Sequence, residues 1–410
     1  MTAKDDSVVK TGLVLSGGGA FGAYEVGVIQ ALYGGKCPST SGVALDADVF
    51  AGTSVGNFNA AVLAMNKDGA AASVERLYSI WTKDIADKGD GRGNGVYRIR
   101  GGAGDYLDPR TPGGPLEHLK QMFSDATAFS GLAASGARKI LLGEGNPLQR
   151  AAGLFDISVL LDVEPFRNLV RNSIDPRALH NSPKSIVVTA TNWSSGGAEP
   201  YDLNNPSVTD EETWAAIRAS AAIPCLFPPV WMLDNYFIDG GVVMNAPIKP
   251  AVGKGATELH VVSLDPSVGD LPGEYAENTW DAFNRVYTAM VASKITADIE
   301  SARAINRGVE IIERVAAGEK VAGADGARFV KAADFIYRKL RKEQRLPRKL
   351  TIHRYHPKKA LGGLLGMLNF EQAAIEEMID QGYRDACEHK CLENGCVIPA
   401  ASAQPKSGGG

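Results

Sequence analysis

Val49-Phe50-Ala51-Gly52-Thr53-Ser54-Val55-Gly56-Asn57-Phe58-Asn59-Ala60-Ala61 changes character at its centre. An apolar run with strand character enters Gly52-Thr53-Ser54-Val55-Gly56, and a small-residue stretch suited to a helix leaves it. This is the G-x-S-x-G pattern, whose mechanical content is a sharp strand-to-helix turn that lifts one serine hydroxyl clear of a sheet. Gly52 and Gly56 fit a turn against which neighbouring backbone packs too closely for a Cβ. A serine so placed is inert by itself. It needs a base and a set of donors for a developing oxyanion, and the rest of the chain has to supply them.

The same rhythm occurs just upstream. Val8 to Ser16 reads as a buried strand, breaks into Gly17-Gly18-Gly19-Ala20-Phe21-Gly22, and is followed by an amphipathic helix with Tyr24, Val28 and Ala31-Leu32 at helical spacing. Two strand–glycine turn–helix units in succession predict an α/β fold with a mostly parallel sheet. Residues 86–153 depart from it: Asp87 to Gly95 and Arg100 to Gly104 are too glycine-rich to build a core, so this segment is an excursion, either a surface loop or a lid. Regular structure resumes with a proline-opened helix at 163–170, a strand over Ser185–Thr191 with a hairpin partner at Pro200–Leu203, and a helix over Thr213–Ala221. Tyr236-Phe237-Ile238 leads into Asp239-Gly240-Gly241, and Thr257–Leu264 is a further apolar strand. Helical patterns cover Trp280–Ala316 and Phe370–His389. The expected organisation is a catalytic domain over 1–270, a helical C-terminal region over 271–398 packed on it, and a disordered tail over 399–410.

Composition narrows the function classes. The 410 residues carry a net charge of −4, which argues against a nucleic-acid partner. The polar first residues carry no signal-peptide pattern, and no apolar run reaches the ~18 residues of a membrane-spanning helix. Five cysteines, an odd number, fit a reduced, cytoplasmic setting. Cys387, Cys391, Cys396 and His389 superficially resemble a zinc cluster but lack the paired C-x2-C spacing, so the sequence predicts no metal and no cofactor.

Six histidines, His118, His180, His260, His353, His356 and His389, carry no pattern that marks one as the base for Ser54. Asp239 is better placed, at the end of an apolar strand where the backbone turns abruptly; Asp-Gly is also a common turn pair. A carboxylate serves directly as a base when burial raises its proton affinity. Gly17, Gly18 and Gly19 leave backbone N–H groups converging at the positive end of a helix, suited to an oxyanion or a phosphate. Gly17 to Gly22 also satisfies G-x-G-x-x-G, a dinucleotide pattern, although Asp46 and Asp48 come later than the ~20-residue spacing of a ribose ligand.

Taken in order, the glycine loop, Gly52-Thr53-Ser54-Val55-Gly56 and Asp239-Gly240-Gly241 resemble the patatin-like phospholipase family. Ala216 to Val230 is similar to the family's stretch before its aspartate, Gly241 to Ile248 to the stretch after it, and Val188 to Asn192 to its central strand. The resemblance covers about 8–265 apart from the excursion. It implies a three-layer α/β/α sandwich and a Ser–Asp dyad in which Ser54 is the nucleophile and Asp239 the base. Gly17, Gly18 and Gly19 would form the oxyanion hole, with Gly22, Gly52, Gly56, Gly240 and Gly241 supporting the motifs. The implied reaction is hydrolysis of a phospholipid or other lipid acyl ester through an acyl-serine, as a phospholipase A or lysophospholipase would perform it. An acyltransferase using the same dyad and a non-catalytic lipid-binding module are the alternatives. Phe21 departs from the basic residue common in the family's glycine loop, and Phe58 from the small residues expected after the nucleophile. The basic run Arg338, Lys339, Arg341, Lys342, Arg345, Arg348 and Lys349, with the apolar Leu361 to Leu368, suits peripheral contact with a membrane surface.

Overall fold

The computed structural model describes residues 9–89, 93–100, 161–224, 226–264, 279–316, 348–359, 361–362 and 366–399, with residues 120–121, 123–128, 130–131, 331 and 335. Ten strands are described: β1 (Thr11–Leu15), β2 (Val49–Thr53), β3 (Arg98–Ile99), β4 (Leu161–Asp162), β5 (Ser185–Asn192), β6 (Ala198–Asp202), β7 (Val230–Met232), β8 (Asn235–Asp239), β9 (Glu258–Val262) and β10 (Thr351–Tyr355). The helices used below are α1 (Gly22–Tyr33), α2 (Val55–Met65), α3 (Ala70–Ser79), α4 (Glu164–Ser173), α5 (Asp210–Ser220), α6 (Thr279–Ala316) and α7 (Gln372–Cys387).

β1, β2, β5 and β9 are buried along nearly their whole length, with no alternation of apolar and polar residues. Such strands must be covered on both faces, which is the condition for a parallel sheet between helical layers. The eight-stranded sheet runs β10-β9-β1-β2-β5-β8-β7, with β6 also paired to β5. Every pairing from β10 to β5 is parallel; β5–β6, β5–β8 and β7–β8 are antiparallel. One side of the core holds Val26, Ile29, Phe50, Phe58 and Leu77; the other holds Val14, Val49, Val261, Ile295 and Ile299. This is a mixed, mostly parallel sheet flanked by helices, as expected.

The register places two strand ends against each other. β2 stops with Thr53 opposite Thr189 of β5, and β8 arrives from the opposite direction with Asp239 opposite Ala190. β6 pairs with Val187 to Thr191 and therefore holds the other edge of β5. β2 and β8 consequently share one edge and abut head to head, one residue apart on β5.

The C-terminal region does more than pack helices on the sheet: it supplies β10, which extends the sheet in parallel beside β9. Thr351-Ile352-His353-Arg354-Tyr355 mixes polar and apolar residues without a period, so its strand character is invisible in sequence. α7 meets α1 at a pair of glycines. A Cβ at Gly27 would strike the Ile379 carbonyl, and one at Gly382 would strike that of Tyr24. The helices therefore approach to backbone contact. The excursion leaves and returns through the antiparallel pair β3–β4, where Arg98 bridges Asp125 at 2.8 Å and Asp162 at 2.9 Å. Most of the excursion, Cys225, Arg338 to Arg345 and the chain beyond Pro399 lie outside the described residues. No described helix is long and apolar enough to cross a membrane.

Gly382→Ala is expected to lower the melting temperature by about 5 °C or more, since the added methyl has only backbone to displace. Gly253→Ala, where nothing lies within 4 Å of the added carbon, is expected to leave it unchanged. Thermal denaturation of the two variants checks this.

Candidate active site

Ser54 sits between β2 and α2 with φ 53° and ψ −128°, a conformation that strains any residue with a side chain. Its surroundings hold it there. The Ser54 N–H donates to Ser220 Oγ at 2.9 Å, and that hydroxyl donates in turn to the Thr189 carbonyl at 2.6 Å. Asn57 Nδ2 donates to the Ser54 carbonyl at 2.6 Å and to Ile217 at 3.1 Å. The turn is thus bound to β5 and α5 on both sides of the serine. Such strain, of order 1–3 kcal/mol, persists only where neighbours over-determine it.

Asp239 ends β8, and its main chain is fixed by donation to Ala222 O at 2.9 Å and by acceptance from Thr191 Oγ1 at 3.0 Å. Its Oδ1 accepts from the Gly241 N–H at 2.7 Å, while Oδ2 is buried with no hydrogen-bond partner. Burial pushes the carboxyl up to about 7, partly offset by the nearby Ser54 hydroxyl and the Gly241 N–H. The Ser54 hydroxyl lies near enough to favour the carboxylate, without an aligned hydrogen bond to Oδ2. Contacts of this kind are often long before a substrate tightens them.

The three glycines of the loop are engaged differently. The Gly17 N–H donates to Asn245 Oδ1 at 3.0 Å and Asn245 Nδ2 returns a bond to the Gly17 carbonyl at 3.4 Å, so Gly17 has no donor to spare. Its part is clearance: a Cβ there would come within 2.8 Å of the Ser54 Cβ. The N–H groups of Gly18 and Gly19 have no acceptor among the described residues, and Gly19 adopts φ 57°. They stand at the start of a short 3-10 turn, Gly19–Phe21, that runs into α1 and presents its positive end. Gly22, Gly52, Gly56 and Gly240 each lie where a Cβ would run into Val55, Asn57, Leu15 or Thr189 respectively.

A cavity of about 40 Å³ opens beside Ser54, lined by Phe58, Trp81, Phe166, Met367 and Phe370 among others. Phe58 both lines it and packs on Phe166, with ring centroids 6.4 Å apart. Phe21 is buried under Gly366, in the segment whose Met367 carbonyl accepts from the Ala20 N–H at 2.8 Å. No histidine lines the cavity among the described residues. His353 is on β10 and His260 on β9, so β1 and β9 lie between β10 and the Ser54 strand.

Ser220, Asn245 and Asn57 escaped the sequence reading because each acts through a backbone partner far away in the chain. A further buried set went unread: Asn59 Nδ2 donates to Glu25 Oε2 at 2.8 Å, and Trp81 Nε1 donates to Asn59 Oδ1 at 2.8 Å. Burial raises the Glu25 carboxyl well above its usual range, and the Glu25–Asn59–Trp81 chain of hydrogen bonds fixes Trp81 as a cavity wall. The available signal was a polar pair, Asn57 and Asn59, in an otherwise apolar helix.

The site thus holds a serine on a strained turn, a buried carboxyl and two backbone N–H groups with no acceptor among the described residues. Residues 13–252, more than half of the chain, match the family model "Patatin: patatin-like phospholipase". The chain belongs to the patatin-like phospholipase family. It is 24% identical over 308 residues to "Lysophospholipase nte1" of Aspergillus niger, covering 74% of this chain and 15% of that protein. It is 28% identical over 97 residues to "Lysophospholipase NTE1" of Cryptococcus neoformans, 21% of this chain and 6% of that one. The chain thus spans a small fraction of the length of these relatives. Among solved structures it is similar to VipD from Legionella pneumophila, with 16% identity and a TM-score of 0.34 over 94% of this chain and 70% of that one, a likeness too distant to inform fold or function.

Because the Asp239 carboxyl takes up its proton more readily in the folded chain than in the unfolded one, it favours folding fully at low pH. That contribution is lost as pH rises from 3.8 to about 7. Asp239→Asn, which carries no charge, is therefore expected to gain stability relative to the parent between pH 5 and 8, by roughly up to 4 kcal/mol. Melting curves of the two proteins across that range check the sign.

Proposed function

We propose that the chain hydrolyses lipid acyl esters through an acyl-enzyme at Ser54, with Asp239 as the base. The observation that carries this reading is the head-to-head meeting of the Ser54 turn with a buried carboxyl whose proton affinity sits near neutrality. Asp239 accepts the Ser54 proton as Oγ attacks the ester carbonyl, and the oxyanion accepts from the Gly18 and Gly19 N–H groups. Collapse of that adduct breaks the ester bond; the departing alcohol takes the proton from Asp239, leaving the acyl group on Oγ. Water then repeats the cycle, giving its proton to Asp239 and its hydroxyl to the acyl carbon, and Oγ leaves reprotonated.

The largely apolar lining of the cavity beside Ser54 supports an acyl chain as its occupant. A groove of about 310 Å³ shares Phe166, Ala221 and Phe227 with it and continues to Pro228–Trp231, edged by Arg218, Arg167 and Glu164, whose carboxylate pairs with Arg167 at 3.5 Å. Two guanidinium groups beside an apolar slot suit a phosphate next to an acyl ester, as in a phospholipid or lysophospholipid. Trp231, Leu233 and Tyr236 at the β7–β8 turn are more than half exposed, which suits peripheral contact with a lipid surface.

A fluorophosphonate probe is expected to label Ser54, read by mass spectrometry of the digested protein; label on another residue contradicts the assignment. Ester turnover is expected to rise with pH through about 7, as Asp239 becomes the free carboxylate. Asp239→Asn is expected to cost about 10³-fold or more, and His356→Ala nothing.

A further inference from the structure

At the sheet edge remote from Ser54, four side chains converge that nothing in the catalytic reading uses. His353 comes from β10; His389, Cys391 and Cys396 come from the turn beyond α7. One ligand atom from each lies within 4.8 Å of every other. Cys391 Sγ is 3.5 Å from His353 Nδ1 and 3.6 Å from His389 Nε2, and Cys396 Sγ is 3.4 Å from His389 Nε2. In a tetrahedral zinc site, bonds of about 2.3 Å to sulfur and 2.0–2.1 Å to nitrogen make the sulfur–nitrogen edge about 3.5–3.6 Å. The observed separations match that edge.

We propose that His353, His389, Cys391 and Cys396 bind one zinc ion in a closed, structural site. Thiol–imidazole hydrogen bonds alone do not account for the cluster, because His389 Nε2 meets both sulfurs and has a single lone pair to offer. His389 is 3% exposed, and its other ring nitrogen is buried without a partner. Two thiolates and two neutral imidazoles around Zn²⁺ give zero net charge, which suits a buried site. Binding releases the two thiol protons to water. The Arg354 N–H donates to Cys396 Sγ at 3.3 Å, the kind of outer contact that orients a thiolate ligand. His260 stacks on His353 at 5.1 Å and is itself held by the Tyr355 hydroxyl at 2.9 Å.

The turn geometry serves the same end. Gly395 adopts φ 68°, and the Cys396 N–H returns to the Cys391 carbonyl at 2.9 Å, which folds the two sulfurs onto one side. Beyond it, Val397 exchanges two hydrogen bonds of 2.8 Å with Ile352 of β10, and Arg303 of α6 donates to the Gly395 carbonyl at 2.6 Å. An ion here staples the C-terminal turn and α7 to an edge strand that has only β9 as a full-length neighbour. His389-x-Cys391-x4-Cys396 lacks the paired spacing sought in sequence; the fold completes the set with His353 from 36 residues upstream.

The full chain, purified without chelator, is expected to hold one zinc per molecule by elemental mass spectrometry. Cys391→Ser and Cys396→Ser are each expected to reduce this more than tenfold, and Cys387→Ser to leave it unchanged. Removing the metal is expected to lower the melting temperature, and re-adding zinc to restore it. Because a cysteine variant can fail to fold, the deciding measurement is made on the unaltered chain: cobalt(II), added after zinc removal under reducing conditions, gives a thiolate-to-cobalt charge-transfer band and tetrahedral d–d bands that saturate at one equivalent. Absence of those bands overturns the proposal. Zinc content unchanged in a folded Cys391→Ser also overturns it.

Discussion

β2 and β8 end head to head on one edge of β5, and the site results from that single arrangement. Thr53 and Asp239 stand opposite consecutive residues of β5, so the turn after one strand and the carboxylate at the end of the other are forced together. The antiparallel entry of β8 is what allows it; a parallel strand would deliver its C-terminal end at the far side of the sheet. Ser220 completes the join by linking the Ser54 N–H to the β5 carbonyl at Thr189, opposite Thr53 itself. Sheet pairing thus positions both groups without a flexible segment between them.

Burial then sets the chemistry. A carboxylate in water is too weak a base for a serine hydroxyl, and a carboxylate buried without partners would hold its proton too tightly to act. In the proposed role of base, Asp239 lies between these limits: a close donor is the Gly241 N–H, its second oxygen has no hydrogen-bond partner, and the balance falls near neutrality. Asn245 tunes the same neighbourhood from the other side. By occupying the Gly17 N–H it fixes the loop, and the proposed oxyanion donors are then the N–H groups of Gly18 and Gly19.

Much of this was legible in the chain. The strand–turn–helix at Ser54, the strand ending at Asp239 and the parallel core all carry strong local signals: apolar runs too uniform for one-sided burial, broken by glycines. The alternation of glycine and serine could not show which loop donor was already spent, because Asn245 lies 228 residues from Gly17. β10 was unreadable for a different reason. His353 and Arg354 are polar residues buried by the C-terminal turn that covers them, so their burial is tertiary and leaves no period in the sequence. The four-residue His/Cys cluster shares that cause: three of its members are close in sequence, and the fourth is brought by strand pairing. The Gly27–Gly382 contact likewise reads as two unremarkable helical glycines until the helices are laid together.

A crystal structure of the covalent fluorophosphonate adduct tests the central claim most directly. The expected result is phosphorus bonded to Ser54 Oγ, the phosphoryl oxygen accepting from the Gly18 and Gly19 N–H groups at about 2.7–3.1 Å, and Asp239 unbonded to the probe. A phosphoryl oxygen held elsewhere, or an adduct on any other residue, would contradict it.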